Sequence, residues 1–291
     1  MKPSSFEMYT PNNIEDALSL LDKHGDEAKI ITGGQSLVPT INMRLATPKS
    51  LIDLNRIDGL RYIKKEDNKI LIGGVTRHHD LETSSLIKEH CPLLGLAAGC
   101  IGHLAIRYRG TIGGSLAHAD PAATLPVALL TLDGKVKTTS VNGVREFDAE
   151  EFFYGIFTTA MEENEILTEV EIPIVPKEAG YSFSTLTRIH GDFPLLAVGV
   201  LMEVEEEKIV KARLTVGGIN PLTERIVDVE EMLIGKKPSD ELFYEAAQSS
   251  KDFMEPESDI SASAEYRLHM VGVYVEEALK NAWQNIGKVG N

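Results

Sequence analysis

The stretch Lys29-Ile30-Ile31-Thr32-Gly33-Gly34-Gln35-Ser36-Leu37 decides the reading of this chain. A short β-branched run stops at two adjacent glycines, and polar residues then lead into an apolar segment. Adjacent glycines let the backbone take positive φ and turn successive N–H groups into one concavity. Gln35 and Ser36 add side-chain donors. Such a nest suits a phosphate or a pyrophosphate. The same residues also serve as a tight strand-to-helix turn that holds no ligand. Just upstream, Ile14, Ala17, Leu18 and Leu21 predict an amphipathic helix, with Thr10 as N-cap, Pro11 in its first position and Gly25 as its stop. Ser50–Leu54 predicts a second short strand, so the opening is a small β-α-β-like unit ending near Asn55-Arg56.

Working outward, Lys69–Ile72 with Val75 reads as a strand broken by Gly73-Gly74, and Thr76 as the cap of a helix carrying Leu81. The small apolar stretch Pro92–Ile106 predicts one buried helix. A second glycine loop follows, Arg109-Gly110-Thr111-Ile112-Gly113-Gly114-Ser115-Leu116-Ala117-His118-Ala119-Asp120-Pro121. Thr111 and Ser115 can donate to phosphate oxygens. Asp120 can accept from a ribose hydroxyl or cap the next helix, Pro121–Thr131. Two such loops about eighty residues apart read as the jaws of a dinucleotide clamp. No two glycines are spaced G-x-G, so the Rossmann fingerprint is absent, as are Walker A, G-x-S-x-G and H-E-x-x-H sequences. His78-His79-Asp80 reads as a surface helix start rather than a metal site. His103, His118 and His190 read as structural or clamp-lining residues, and Cys91 and Cys100 as apolar free thiols.

Lys135–Val141, Val144–Phe147 and Ile166–Ile172 predict strands, with Asn142-Gly143 a hairpin turn. Pro173 and Pro176 mark the best boundary in the chain. Beyond it, Tyr181–Arg188, Leu195–Val204 and Ile209–Val216 predict three antiparallel strands, followed by three helices. In the last helix Leu268, Val271, Val275, Leu279 and Ala282 share one face.

Composition narrows the function. The 291 residues carry a net charge of −15, which disfavours nucleic acid and anionic membrane surfaces as partners. Two cysteines cannot supply the four thiolates of an all-cysteine zinc site or an iron–sulfur cluster. No disulfide framework, apolar signal core or membrane-spanning run is present, which reads as a cytoplasmic protein.

T-G-G-Q-S-L-V-P at 32–39, R-Y-R-G-T-I-G-G-S at 107–115 and A-H-A-D-P-A-A at 117–123 resemble the FAD-binding medium subunit of the molybdenum hydroxylases, the family of bacterial xanthine dehydrogenases and aerobic carbon monoxide dehydrogenases. The resemblance continues through E-I-L-T-E-V-E-I-P at 165–173, R-I-H-G-D-F at 188–193 and A-E-Y-R at 264–267. It implies an α+β fold: a two-lobed FAD-binding domain of the vanillyl-alcohol-oxidase (PCMH) type over 1–176, with lobes 1–57 and 58–176. A small α+β C-terminal domain of a three-stranded antiparallel sheet plus helices would occupy 177–291.

It also implies a site. Ile31, Thr32, Gly33, Gly34, Gln35, Ser36 and Leu37 would hold the FAD pyrophosphate. Thr111, Gly113, Gly114 and Ser115 would form the opposing loop, and Gly102 would approach from the end of the buried helix. Asp120 would lie near the ribityl and ribose, and the Leu167 backbone would meet the adenine. No residue is assigned a catalytic or metal-ligating role. Three positions depart from relatives: Thr124 stands where many carry an acidic residue, Ser184 where lysine is frequent, and Tyr108 where asparagine is common. The first two imply a weaker hold on FAD, which Thr124→Asp would tighten. The implied role is electron transfer from the [2Fe–2S] clusters of a small subunit to NAD, quinone or oxygen. A large subunit would hold molybdopterin, in a dimer of such heterotrimers. The other readings are a non-catalytic FAD- or nucleotide-binding protein and a stand-alone flavin oxidoreductase; flavin bleaching and activity without partners separate the three.

Overall fold

The structure, a computed structural model, describes residues 2–290. Its first unit comprises β1 (Glu7–Tyr9), α1 (Ile14–His24), β2 (Ala28–Ile31), α2 (Leu37–Asn42) and β3 (Ser50–Asp53). The three strands form a parallel sheet in the order β1-β3-β2. The α1 stripe of Ala17, Leu18 and Leu21 is buried in a core with Ile52, Leu54, Val75 and Ile166. The cap of α1 is Asn13, not Thr10: from an extended backbone its Oδ1 accepts the Asp16 N–H at 2.8 Å. That bond satisfies a first-turn amide, so the helix begins at Ile14 rather than at Pro11. Gly25 ends it at φ 53.

The second unit contains β4 (Ile63–Glu66), β5 (Lys69–Gly73), α3 (His78–Thr83), α4 (Ser85–His90), α5 (Pro92–Gly99), α6 (Leu104–Arg107), α7 (Ile112–His118), α8 (Thr124–Thr131), β6 (Lys135–Ser140), β7 (Gly143–Asp148), α9 (Ala149–Phe152), β8 (Phe153–Gly155), β9 (Thr158–Thr159) and β10 (Ile166–Pro173). Its main sheet is antiparallel, in the order β4-β5-β10-β6-β7. Ile70, Ile72, Val136 and Val170 of this sheet share a core with Leu93, Leu94 and Ala97 of α5 and Leu125, Ala128 and Leu129 of α8. Every residue of α8 is buried, which explains its lack of a polar face. The single helix expected over Pro92–Ile106 is two helices. Gly102 sits between them at φ 50, a left-handed conformation that interrupts a right-handed helix.

The third unit is an antiparallel sheet in the order β11 (Gly180–Leu186), β12 (Leu196–Glu205), β13 (Lys208–Gly217) and β14 (Glu224–Arg225), followed by α10 (Val227–Leu233), α11 (Asp240–Ser250) and α12 (Ala264–Gln284). The sheet has four strands rather than three. The fourth has two residues, too short to show any alternation. Val271, Val275, Ala278, Leu279 and Ala282 of α12 pack with Val198, Val200 and Leu214 of the sheet. The sheet's other face meets α8 through glycine: a Cβ on Gly199 would strike the Thr131 hydroxyl, and one on Gly217 would lie 2.5 Å from Val127 Cγ2. Among the described residues no helix is long and apolar enough to cross a membrane.

Candidate cofactor site

The two glycine loops meet. Thr32 Oγ1 and Thr111 Oγ1 lie 2.7 Å apart, a hydrogen bond across 79 residues of sequence. A Cβ on Gly33 would lie 2.5 Å from the Arg109 carbonyl oxygen and 2.7 Å from Gly110 Cα. A Cβ on Gly113 would lie 2.5 Å from the Gly74 carbonyl oxygen, and one on Gly74 would strike the Leu167 carbonyl. These glycines let backbone rest on backbone, which no side chain permits. Gly34 is different: its φ of 68 turns the first loop, and the space beside it holds the flexible end of Val38.

The loops differ in what they offer. In the second, the Ile112, Gly113, Gly114 and Ser115 amides donate to the Thr76 carbonyl, the Gly74 carbonyl, Thr111 Oγ1 and the Thr111 carbonyl. In the first, no protein acceptor takes the N–H groups of Gly33, Gly34, Gln35 or Ser36 among the described residues. The Ser36 hydroxyl makes no capping bond to α2, and Gln35 Nε2 folds back on the Gly33 carbonyl at 3.0 Å. Successive donors with no acceptor among them suit an anion, and a pyrophosphate fits that donor set. Thr111 is tied up as the α7 cap and the Thr32 partner, so Ser115 supplies the second loop's uncommitted hydroxyl.

A brace that the sequence did not reveal holds the loops together. Asn55 Nδ2 donates to the Thr32 carbonyl at 2.8 Å. Arg77 donates to Asn55 Oδ1 from one guanidinium nitrogen and to the Arg109 carbonyl from the other. Arg77 and Thr111 form an antiparallel bridge, flanked by bonds from His78 N–H to Gly110 O and from Ile112 N–H to Thr76 O, both 3.0 Å. Neither Asn55 nor Arg77 sits in a motif; only folding brings them to the loops.

His78 lies beneath this contact. It starts α3, as expected, but it is 5% exposed rather than on the surface. A Cβ on Gly110 would lie 2.6 Å from its Cε1. Burial pushes the His78 imidazole down to about 4, against an opposing contribution from the Thr111 backbone.

The remaining expected residues are distributed as follows. Ile31 ends β2 and packs beside Gly34. Leu37 opens α2. Leu167 is buried at a bulge in β10, with its carbonyl behind Gly74, and so backs the second loop. Gly102 lies at the α5–α6 break, where its carbonyl accepts from Arg107 at 2.9 Å. Asp120 does not cap α8, whose N-cap is Ala123; it accepts the Ala122 N–H at 2.9 Å and so turns the chain into that helix. Thr124 is buried and donates to the Ala97 carbonyl at 2.9 Å. The Ser184 hydroxyl is buried with no hydrogen-bond partner. Tyr108 is exposed, its ring 4.2 Å from that of His79. No cluster of three or more His, Cys, Asp or Glu fit to hold a metal occurs among the described residues.

Fold and loops define a two-lobed protein whose lobes meet at a run of uncommitted backbone amides. Residues 4–175 match the FAD binding domain in molybdopterin dehydrogenase, and residues 181–282 match the CO dehydrogenase flavoprotein C-terminal domain. The chain belongs to the FAD-binding medium subunits of the molybdenum hydroxylases. It is 40% identical to the 6-hydroxypseudooxynicotine dehydrogenase complex subunit alpha of Paenarthrobacter nicotinovorans, across 97% of this chain and 96% of that one. It is 33% identical to the glyceraldehyde dehydrogenase medium chain of Sulfolobus acidocaldarius, across 96% and 99%. Among solved structures, a carbon monoxide dehydrogenase from Hydrogenophaga pseudoflava superposes with a TM-score of 0.96 at 34% identity, covering 98% of this chain and 100% of that one.

Proposed function

We propose that this chain is the FAD-carrying electron-transfer subunit of a molybdenum hydroxylase, on the route from the [2Fe–2S] clusters of a small subunit to an external acceptor such as NAD, quinone or oxygen. The observation that carries the reading is the run of four uncommitted amides at Gly33–Ser36, held at the lobe contact by the Thr32–Thr111 bond. These amides, with the Ser36 and Ser115 hydroxyls, would take the FAD pyrophosphate. Gly113 and Gly114 would hold the second loop in place, and Leu167 would back it. Gly102 and Asp120 would border the rest of the cofactor. Bound FAD supplies one- and two-electron chemistry; the chain supplies binding and orientation.

The proposed division is a cofactor domain over 1–176, with lobes 1–57 and 58–176, and a second domain over 177–291. Relatives named as a subunit of a dehydrogenase complex and as a medium chain support partner subunits; a large molybdopterin subunit and a small [2Fe–2S] subunit, in a dimer of heterotrimers, are the proposed assembly. A cytoplasmic location accords with two cysteines that are both unpaired.

The test is Ser36→Ala with Ser115→Ala. Neither hydroxyl supports the fold, so the double variant should fold as wild type. Losing two hydrogen bonds to a charged group should raise the FAD dissociation constant about tenfold or more. Unchanged affinity would take the pyrophosphate away from these loops.

A further inference from the structure

Helix α8 is fastened to β13 at both ends. At its C-terminal end Asp133, in the left-handed conformation at φ 51, accepts from Arg213 Nε at 2.8 Å and Arg225 Nη1 at 3.2 Å, with Lys211 Nζ at 3.1 Å. Arg225 also pairs with Glu230, which is buried and accepts the Leu214 N–H at 2.8 Å. At the other end the Gly218 N–H donates to the Pro121 carbonyl at 2.9 Å, one residue from Asp120. Between the two fastenings Gly217 and Gly199 let the sheet rest directly on Val127 and Thr131.

We propose that Asp133 is a positioning residue: its charge clasp, acting through α8, fixes the 119–123 segment and with it Asp120 at the cofactor cleft. The role of Asp120 there rests on the cofactor reading above; the mechanical link does not. Together with the Thr124 bond to Ala97, the two fastenings set where the helix lies on the sheet. Burial raises the cost of an unpaired Asp133, but Arg213 and Lys211 overcome it and hold its carboxyl below the usual range.

The experiment is amide hydrogen exchange on the full, cofactor-free chain. Asp133→Asn keeps a residue that tolerates left-handed backbone and removes only the charge. Exchange at 119–123 and at Gly218 should quicken about fivefold or more, with the β11–β12 pairing unchanged. Asp133→Glu should recover part of the protection. Glu207→Gln, which breaks an exposed pair with Lys237, should change nothing there. Loaded Asp133→Asn protein should also release FAD about fivefold faster, well below its melting temperature. Should Asp133→Asn fail to fold, Arg213→Gln reads the same clasp. Unchanged exchange at 119–123, or equal loosening of every element, overturns the proposal. Absence of flavin from wild type overturns the cofactor reading alone, because exchange still decides the link.

Discussion

His78 is a titratable ring held where it cannot easily be charged. Burial lowers its pKa to about 4, against an unfolded value of about 6.5. Between those values the unfolded chain binds the extra proton, so stability falls as pH drops from about 6.5 towards 4. The loss amounts to about 3 kcal/mol across the window. His78→Gln should flatten this part of the stability-against-pH curve, measured by urea unfolding at pH 7 and pH 5. Parallel curves for the two proteins would assign the titration to another group. Thr124 gives a second test. Its hydroxyl donates to the Ala97 carbonyl inside the core, and an ionised aspartate there could not donate. Thr124→Asp should therefore lose about 2–4 kcal/mol of stability rather than tighten FAD binding, while Thr124→Ser should lose much less. Here the hydroxyl is spent on α5.

The glycine loops also carry a packing role. Gly33, Gly74 and Gly113 are filled by neighbouring backbone, so a side chain there collides with main chain that cannot rotate away. Gly33→Ala and Gly113→Ala should lower the melting temperature of FAD-free protein, by the several degrees that about 1–3 kcal/mol of overpacking produces. Gly34→Ala meets only left-handed strain and a movable Val38 methyl, and should cost about 1 kcal/mol. Scanning calorimetry on the three variants orders them; equal losses would mean the loops do not interlock. The loops themselves were legible because paired glycines beside hydroxyl residues are a local signal. The brace of Asn55 and Arg77 was not, since its partners lie 23 and 32 residues away. The α5–α6 break was half-written: Gly102 was visible, but an apolar stretch rich in Leu and Ala masked it. At α1 two capping signals competed, and Asn13 won by reaching Asp16.

At the scale of the molecule, apolar patterning located most strands but not their order. β5 and β10 pair across about 100 residues, and the parallel β1–β3 pairing spans 43 residues. Such pairings depend on which faces need covering rather than on any local code. The three-strand pattern of the third unit was legible because its strands follow one another as hairpins. Burial also decides what the two cysteines can do. Cys91 is buried, and burial pushes its thiol up to about 12; burial raises Cys100 as well. Both stay protonated near neutral pH, which unfits them as thiolate ligands or nucleophiles. The uncommitted amides at Gly33–Ser36 are donors suited to an anion rather than acids or bases placed to work on a substrate. The chain expressed alone should therefore be yellow with FAD yet fail to oxidise xanthine, nicotinate, aldehydes or carbon monoxide. Co-expressed with a molybdopterin subunit and a [2Fe–2S] subunit, it should co-purify with both, and only that assembly should bleach its flavin on adding the complex's substrate. Absorbance at 450 nm, with metal analysis of the same sample, decides the matter. Turnover of any of these substrates by the metal-free chain would make it a stand-alone oxidoreductase, and a colourless chain with the fold intact would make it a binding protein of another kind.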